Sequence, residues 1–360
     1  MIRVKILTVR RKSINSRGII DPILRARNLF RDVGILFEKE VYSVHAAKDA
    51  DVLIIDSKVW KEDWRSRKDE VIGMLDKIRS RNNKLVWFDT GDSTGNIIKD
   101  VFESIDIYLK GQILRDRERY KERHYGGRIY TDFLNSEFGT TDHELLYSTP
   151  LTDQDIGKLK LGWNYGLARG YGGSDSKWTG VLKRKIFGSE FGKANHYEAI
   201  EAFRNRSVSM RISTDYARQT VKKQRELAVA EASRLSIPYG RISKSSYIDE
   251  MRKSRGVISP FGWGEIAIRD FECFVLGSVL IKPTMDHLVT FPNYYEEKKT
   301  YLPIPWEIGD LKDIVEYVGS GAESVLEIAK RAQERFVYYA ENRDGRKDFV
   351  SHVNSVLLGN

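Results

Sequence analysis

The residues with the greatest chemical potential lie between 258 and 277. They run Ile258-Ser259-Pro260-Phe261-Gly262-Trp263-Gly264-Glu265, then Ile266-Ala267-Ile268-Arg269-Asp270-Phe271-Glu272, and end at Gly277. The order reads as strand, glycine-rich turn and helix. Glycines at 262 and 264 let a ligand approach the main chain, and the free amides that open a helix are a ready site for phosphate oxygens. Spacings of four, three and seven put Glu265, Arg269 and Glu272 on one helix face. An arginine between two carboxylates suits a diphosphate and sugar hydroxyls. The same spacing also fits an Arg269 that bridges two glutamates on an exposed helix, with glycines that only turn the chain.

A second group of chemical residues follows an apolar run near position 88, in Trp87-Phe88-Asp89-Thr90-Gly91-Asp92-Ser93-Thr94-Gly95. Two carboxylates there, Asp89 and Asp92, stand at the carboxyl end of a strand, where either can take a proton from a hydroxyl. Helix capping by Asp92 or Ser93 is the plainer role. Tyr247, in Ser243-Lys244-Ser245-Ser246-Tyr247, can stack on a base or pack in the core. Lys282, at the end of a buried strand, can neutralise phosphate or simply face solvent. A basic loop, Arg10, Arg11, Lys12 and Arg17, follows the first strand and either contacts an anion or is ordinary surface.

These residues need a scaffold of strands alternating with helices, and the chain supplies the pattern. Apolar runs predict strands over 4–9, 52–55, 85–88 and 105–109. Asp21 and Pro22 read as the cap and first residue of a helix carrying Ile23, Ala26, Leu29 and Phe30, which Gly34 stops. A second helix is predicted over 63–81, with Val71, Ile72, Leu75 and Ile78 on one face. Glycine, serine and threonine between about 126 and 180 suggest a junction. Alternation resumes with a strand over 185–188, helices over 197–203 and 216–233, strands over 208–213 and 256–259, a helix over 265–276 and a strand over 279–282. The last 50 residues read as helical. Strand and helix repeated this way predict two α/β, doubly wound Rossmann-like domains facing each other across a cleft.

The segment around Glu272 resembles the nucleotide-sugar site of glycosyltransferases of the two-domain GT-B class. The run Glu272-Cys273-Phe274-Val275-Leu276-Gly277 and then Val279-Leu280-Ile281-Lys282-Pro283 is similar to the element in which a helix glutamate holds the nucleotide ribose. The resemblance assigns that role to Glu272. Six residues separate Glu265 from Glu272 where the large retaining group has seven, so the sugar-contacting role of Glu265 and a retaining outcome are not secured. The aromatic-glycine-tryptophan-glycine turn, with Lys282-Pro283-Thr284-Met285-Asp286-His287 and Phe291-Pro292-Asn293-Tyr294-Tyr295, is closer to a bacterial and archaeal subgroup related to exostosin-like and spore-coat enzymes. The resemblance covers residues 240–320 well and the first half only as architecture. It implies an acceptor domain over 1–165, a nucleotide-sugar domain over 166–342 and a last helix, 343–360, that crosses back to the first. It also implies a donor site of Lys193, Tyr247, Gly262, Trp263, Gly264, Arg269, Glu272 and Lys282, with Asp89, Asp92 or Glu265 at the chemistry. Lys193, in Gly188-Ser189-Glu190-Phe191-Gly192-Lys193, enters as a basic residue placed to meet donor phosphates. The donor expected is a UDP- or GDP-sugar, with no obligatory metal, because helix amides and Arg269 take over the neutralising task.

Composition narrows the alternatives. Of 360 residues 41% are hydrophobic and 31% charged, which suits a folded globular chain rather than a disordered one. No apolar run approaches the ~20 residues of a membrane span, and one cysteine cannot form an internal disulfide. The chain begins directly in a strand pattern, so a cytoplasmic location is expected. Sixty basic against 51 acidic residues give +9, which favours anionic partners: a diphosphate, an anionic membrane face or a nucleic acid. A nucleic-acid partner is disfavoured, because the strongest basic run, 115–123, is interleaved with acids. Six histidines lack metal-ligand spacing, and no P-loop or nucleophile elbow is present. Asp49-Ala50-Asp51 and Asp153-Gln154-Asp155 read as turns or caps. The acceptor expected is a glycan, lipid-linked or protein group, with peripheral membrane contact. The competing readings are a non-catalytic nucleotide-sugar binder and a polyanion binder.

Overall fold

The computed structural model describes residues 1–9, 14–60, 63–64, 66–171 and 195–359. Among the described residues twelve strands form three sheets. The first sheet contains β1 (Ile2–Thr8), β2 (Ile35–Val41), β3 (Val52–Asp56), β4 (Lys84–Asp89), β5 (Ile107–Lys110) and β7 (Leu159–Leu161), in the order β2-β1-β3-β4-β5-β7 and parallel throughout. The order reverses between β1 and β3, the mark of a doubly wound sheet. Alternate residues serve opposite faces: Leu53, Ile55 and Trp87 enter one core, and Val52, Ile54 and Phe88 the other. Burial on both faces is why β3 reads as an unbroken apolar run.

Helices α1 (Ile14–Arg25), α2 (Arg27–Asp32), α3 (Lys68–Arg79), α4 (Ile129–Phe138) and α5 (Asp153–Lys158) belong to the first half. The first helix starts at Ile14, not at Asp21. Its buried stripe extends back through Ile19 and Ile20, and Pro22 is held inside it. The expected 126–180 junction contains α4, which ends on a left-handed Gly139, and β7, the last strand of the sheet. Thr152 and Asp155 cap α5 reciprocally, as expected of that aspartate pair, whereas Asp51 accepts the Arg3 amide of β1 at 2.8 Å, a bond between distant segments.

The second sheet has β8 (Arg206–Ser209), β9 (Ser254–Ile258), β10 (Val279–Pro283) and β12 (Leu302–Ile304), in the order β12-β10-β9-β8 and also parallel. Val257 and Leu280 face one core, Ile258 and Ile281 the other. Helices α6 (Gln219–Arg234), α7 (Lys244–Arg252), α8 (Ile268–Leu276), α9 (Lys312–Ser320), α10 (Glu323–Glu341) and α11 (Arg343–Leu358) follow in order around it. Residues 197–203 are irregular with a turn over 200–201 instead of the expected helix, because Glu198 bonds its amide to Val275 rather than to its own turn. The expected strand over 185–188 lies outside the described residues. Helix α11 leaves the second sheet and buries Phe349, Val350, Val353 and Leu357 against the first.

A short antiparallel ladder joins the halves. Strand β6 (Gln112–Leu114) pairs with β11 (Leu288–Thr290), Gln112 opposite Thr290. Beside it the Asn164 side chain donates to Thr290 Oγ1 at 2.6 Å and to the Pro292 carbonyl at 3.0 Å, while its amide donates to Phe291 at 2.8 Å. No described helix is long and apolar enough to cross a membrane.

Candidate active site

The glycine turn leaves β9 and docks directly on the loop that leaves β4. A Cβ at Gly264 would stand 1.7 Å from the Asp92 carbonyl oxygen, so only glycine permits this approach. Three carbonyls of the turn are engaged from the first half. Tyr130 on α4 donates its hydroxyl to Gly262 at 2.5 Å, Arg128 Nε donates to Trp263 at 2.9 Å, and the Tyr165 hydroxyl donates to Ile266 at 2.6 Å. The amides of Trp263, Gly264 and Ile266 make no hydrogen bond among the described residues. A run of free amides between a strand and a helix start is an anion-binding arrangement.

Helix α8 begins after Ala267, so Glu265 precedes it and does not share a helix face with Arg269 and Glu272. Its carboxylate is 1% exposed and crosses to the first half, where Oε2 accepts the Thr94 amide at 3.0 Å. His287 Nε2 stands 3.9 Å from Oε1, and both imidazole nitrogens are buried without a hydrogen bond. Glu265 thus joins the two halves.

Arg269 and Glu272 do come together, through Tyr247 rather than through each other. The Tyr247 hydroxyl donates to Glu272 Oε2 at 2.8 Å and accepts Arg269 Nε at 3.3 Å. The other Glu272 oxygen is capped by Lys244, whose side chain is 66% exposed. Arg269 also donates to the Arg211 carbonyl. Burial, with the Glu272 charge adding to it, pushes the Tyr247 phenol far above its usual range, so it stays a neutral donor. Tyr247 also packs against the core around Phe271 and Phe274, as the core-packing reading expects, and the bridge is a role in addition to it.

Lys282 is fully buried in the structure, neither solvent-facing nor turned to a ligand. Its ammonium pairs with Asp270 at 3.1 Å and donates to the Ser259 carbonyl at 3.3 Å. Asp270 in turn accepts the Ala267 amide, the Ser259 hydroxyl and the Tyr295 hydroxyl. This network shapes the start of α8 from beneath the turn. Asp89 is engaged in the same way. It accepts Lys110 at 2.7 Å, the Tyr108 hydroxyl at 2.8 Å and the Gly91 amide at 2.7 Å, and is 4% exposed.

Asp92 is different. Its carboxylate is exposed, held at 2.5 Å by Asn15 Nδ2 from α1, and sits on the glycine turn; no helix starts there for it to cap. Gln112 fixes its carbonyl at 2.6 Å. Beside it lies a small pocket, little larger than a water molecule, lined by Asn15, Asp89, Thr90, Gly111, Trp163 and Tyr165 among others. Lys193 and the basic residues Arg10, Arg11 and Lys12 lie outside the described residues. Trp263 is 39% exposed and packs against Tyr216 at 5.5 Å.

Several partners escaped the sequence reading. Lys244 stands beside Tyr247 in a motif already singled out, at the start of a helix that Ser243 caps. Arg211, which pairs with Glu250 at 2.7 Å, follows β8. His287 closes the 282–287 run, and a lone histidine without metal-ligand spacing carries no signal of its place beside Glu265. No described group of three His, Cys, Asp or Glu residues could hold a metal ion.

No protein-family model matches the chain, and no curated protein matches it. Solved structures do. HepE of Anabaena in complex with UDP-glucose is 10% identical over 99% of this chain and 100% of its own, with a TM-score of 0.47. A glycosyltransferase of Rickettsia africae is 10% identical over 100% and 99%, with a TM-score of 0.49. WaaG, a glycosyltransferase involved in lipopolysaccharide biosynthesis, is 11% identical over 99% and 100%, with a TM-score of 0.41.

Proposed function

We propose that the chain is a glycosyltransferase that moves a sugar from a nucleotide-sugar donor to a glycan, lipid-linked or protein acceptor. One observation carries the reading: Gly264, in a turn of free amides, lies against Asp92, an exposed carboxylate on the opposite half. An anion-binding turn and a proton acceptor in contact across a seam are the two parts that transfer from a diphosphate requires. The resemblance of the 240–320 segment to exostosin-like and spore-coat enzymes agrees with it.

In this reading the first half, 1–165, presents the acceptor, the second, 166–342, holds the donor, and 343–360 returns to the first. The Glu272 carboxylate takes the ribose hydroxyls once Lys244 leaves it, and Arg269 faces the diphosphate. The acceptor oxygen bonds to the anomeric carbon as the bond to the diphosphate breaks; Asp92 takes the acceptor proton, and the amides beside Gly264 with Arg269 receive the charge of the leaving group. These groups meet the leaving-group charge without a metal. The donor is a UDP- or GDP-sugar. The site faces the cytoplasm, and the net charge of +9 suits peripheral contact with an anionic membrane.

A thermal-shift panel of UDP, GDP, CMP, dTDP and ADP, run on the wild type and on Arg269→Ala and Glu272→Ala, tests the donor site. A rise with one nucleotide that both variants lose is the expected result, since a ligand of the folded state raises its stability. No shift at millimolar nucleotide would turn the reading toward a polyanion binder.

A further inference from the structure

Three arginines gather beside the glycine turn without a carboxylate among them. Arg128 and Arg218 each donate Nη1 to the same oxygen, the Gly126 carbonyl, at 2.9 Å. Arg225 donates Nε to the Phe261 carbonyl at 2.8 Å and Nη1 to Ser213 at 3.1 Å, and its Nη2 is 3.3 Å from where a Gly262 Cβ would stand. Arg128 and Arg225 are each 7% exposed. None of the three forms an ion pair among the described residues. The nearby Asp142 carboxylate is taken by the Thr220 amide and hydroxyl, both at 2.9 Å.

Aromatic rings complete the cluster. The Arg128 guanidinium lies 5.8 Å over the Trp263 ring and that of Arg225 4.8 Å over Tyr216, and the two rings are in contact. Burial pushes Arg225 down to about 10, with Arg269 adding to the effect, and burial with the Arg128 charge lowers Arg218. Like charges brought together in a half-buried place repel and lose water, which an anion between them reverses. Arginine forks match phosphate oxygens, and an exposed indole offers a face for a ring. The cluster draws on both halves: Arg128 precedes α4, whereas Arg218, Arg225, Tyr216 and Trp263 belong to the second half.

We propose that Arg128, Arg218 and Arg225 form a clamp for a phosphate or diphosphate whose attached ring stacks on Trp263. The diphosphate of a donor and the phosphate of a phosphorylated acceptor share this chemistry. Calling either a substrate rests on the glycosyl-transfer reading; the anion site does not.

The test titrates the full chain with inorganic pyrophosphate, UDP, GDP and glucose 1-phosphate at low salt, followed by tryptophan fluorescence and by calorimetry. Wild type is compared with Arg218→Gln, whose side chain is half-buried, with Arg128→Gln and with Trp263→Phe. Pyrophosphate affinity falls tenfold or more in Arg218→Gln at an unchanged melting temperature, and the fluorescence response disappears in Trp263→Phe. If UDP or GDP weakens in parallel and glucose 1-phosphate does not, the clamp serves the donor; the converse assigns it to the acceptor. Pyrophosphate binding that the variants lose, with no nucleotide bound by the wild type, supports the clamp while overturning the transfer reading. Equal pyrophosphate affinity in wild type and Arg218→Gln, or none in the wild type, overturns the clamp.

Discussion

At the scale of single residues, the site separates carboxylates that hold the fold from carboxylates that are free to act. Asp89 and Asp270 each meet a buried lysine and at least two further donors, so their oxygens are spent on the structure. Asp92 and Glu272 are held by a single flexible side chain on the side that matters, Asn15 for one and Lys244 for the other. Asp92→Asn keeps the Asn15 contact as an amide pair but cannot take a proton. Single-turnover kinetics with the donor identified by the nucleotide panel should show kcat lower by about 10²–10⁴-fold with donor KM little changed. Glu272→Gln should instead weaken nucleotide binding by about ten- to a hundredfold, the worth of a charged hydrogen bond of ~1.5–3 kcal/mol, measured by calorimetric titration. If Asp92→Asn were as active as wild type, the proton would have to leave by another group.

At the scale of elements, two contacts decide whether the turn is presented correctly. Gly264→Ala places a methyl inside the Asp92 carbonyl, so the loop after β4 and the turn must part; a loss of about 1–3 kcal/mol is expected, read as a lower midpoint in urea with an unchanged slope. Behind the turn, Arg211 and Ser209 hold Glu250 between β8 and α7, at 2.7 Å and 2.6 Å. Burial works to raise the Glu250 pKa, but the bonds from Arg211 and Ser209 outweigh it and keep it below the usual glutamate value. A depressed carboxylate contributes stability above its unfolded pKa of ~4.3 and loses it as pH falls through the lower folded value. Glu250→Gln should therefore flatten the fall in stability below about pH 4.3, measured by denaturation across pH 2.5–6. This scale also shows what the sequence could and could not say. The strands β3, β4, β9 and β10 and the helix carrying Glu272 were readable, because burial on both faces writes long apolar runs and the helix ends on a left-handed Gly277. Helix α4 was not, since Ile129, Tyr130 and Leu134 make too short a stripe to set a period among the surrounding glycines. Glu265 was misplaced for a related reason: its spacing to Arg269 is helical, yet Asp270 draws back to the Ala267 amide and starts the helix three residues later.

At the scale of the whole molecule, the two halves are tied by main chain as well as by side chains. The β6–β11 ladder, the Asn164 bonds, the Glu265–Thr94 bond and the return of α11 to the first sheet all cross the same seam. Sequence patterning foretold the two sheets but not this joint, because β6 and β11 are three residues each and nothing in so short a run names its partner. The joint has an energetic consequence. Exposing it in one half alone would strip Phe349 and Leu357 from one core and leave the ladder amides and the Glu265 carboxylate without partners, so partial unfolding costs nearly as much as global unfolding. Calorimetry should accordingly show one transition with equal calorimetric and van't Hoff enthalpies. Phe349→Ala, on the last helix, should lower the single midpoint through a loss of about 3–5 kcal/mol rather than split it. Two resolved transitions, with only one moved by Phe349→Ala, would mean that the halves unfold independently. In that case the contact between Gly264 and Asp92 would depend on closure by the donor instead of being built into the resting fold.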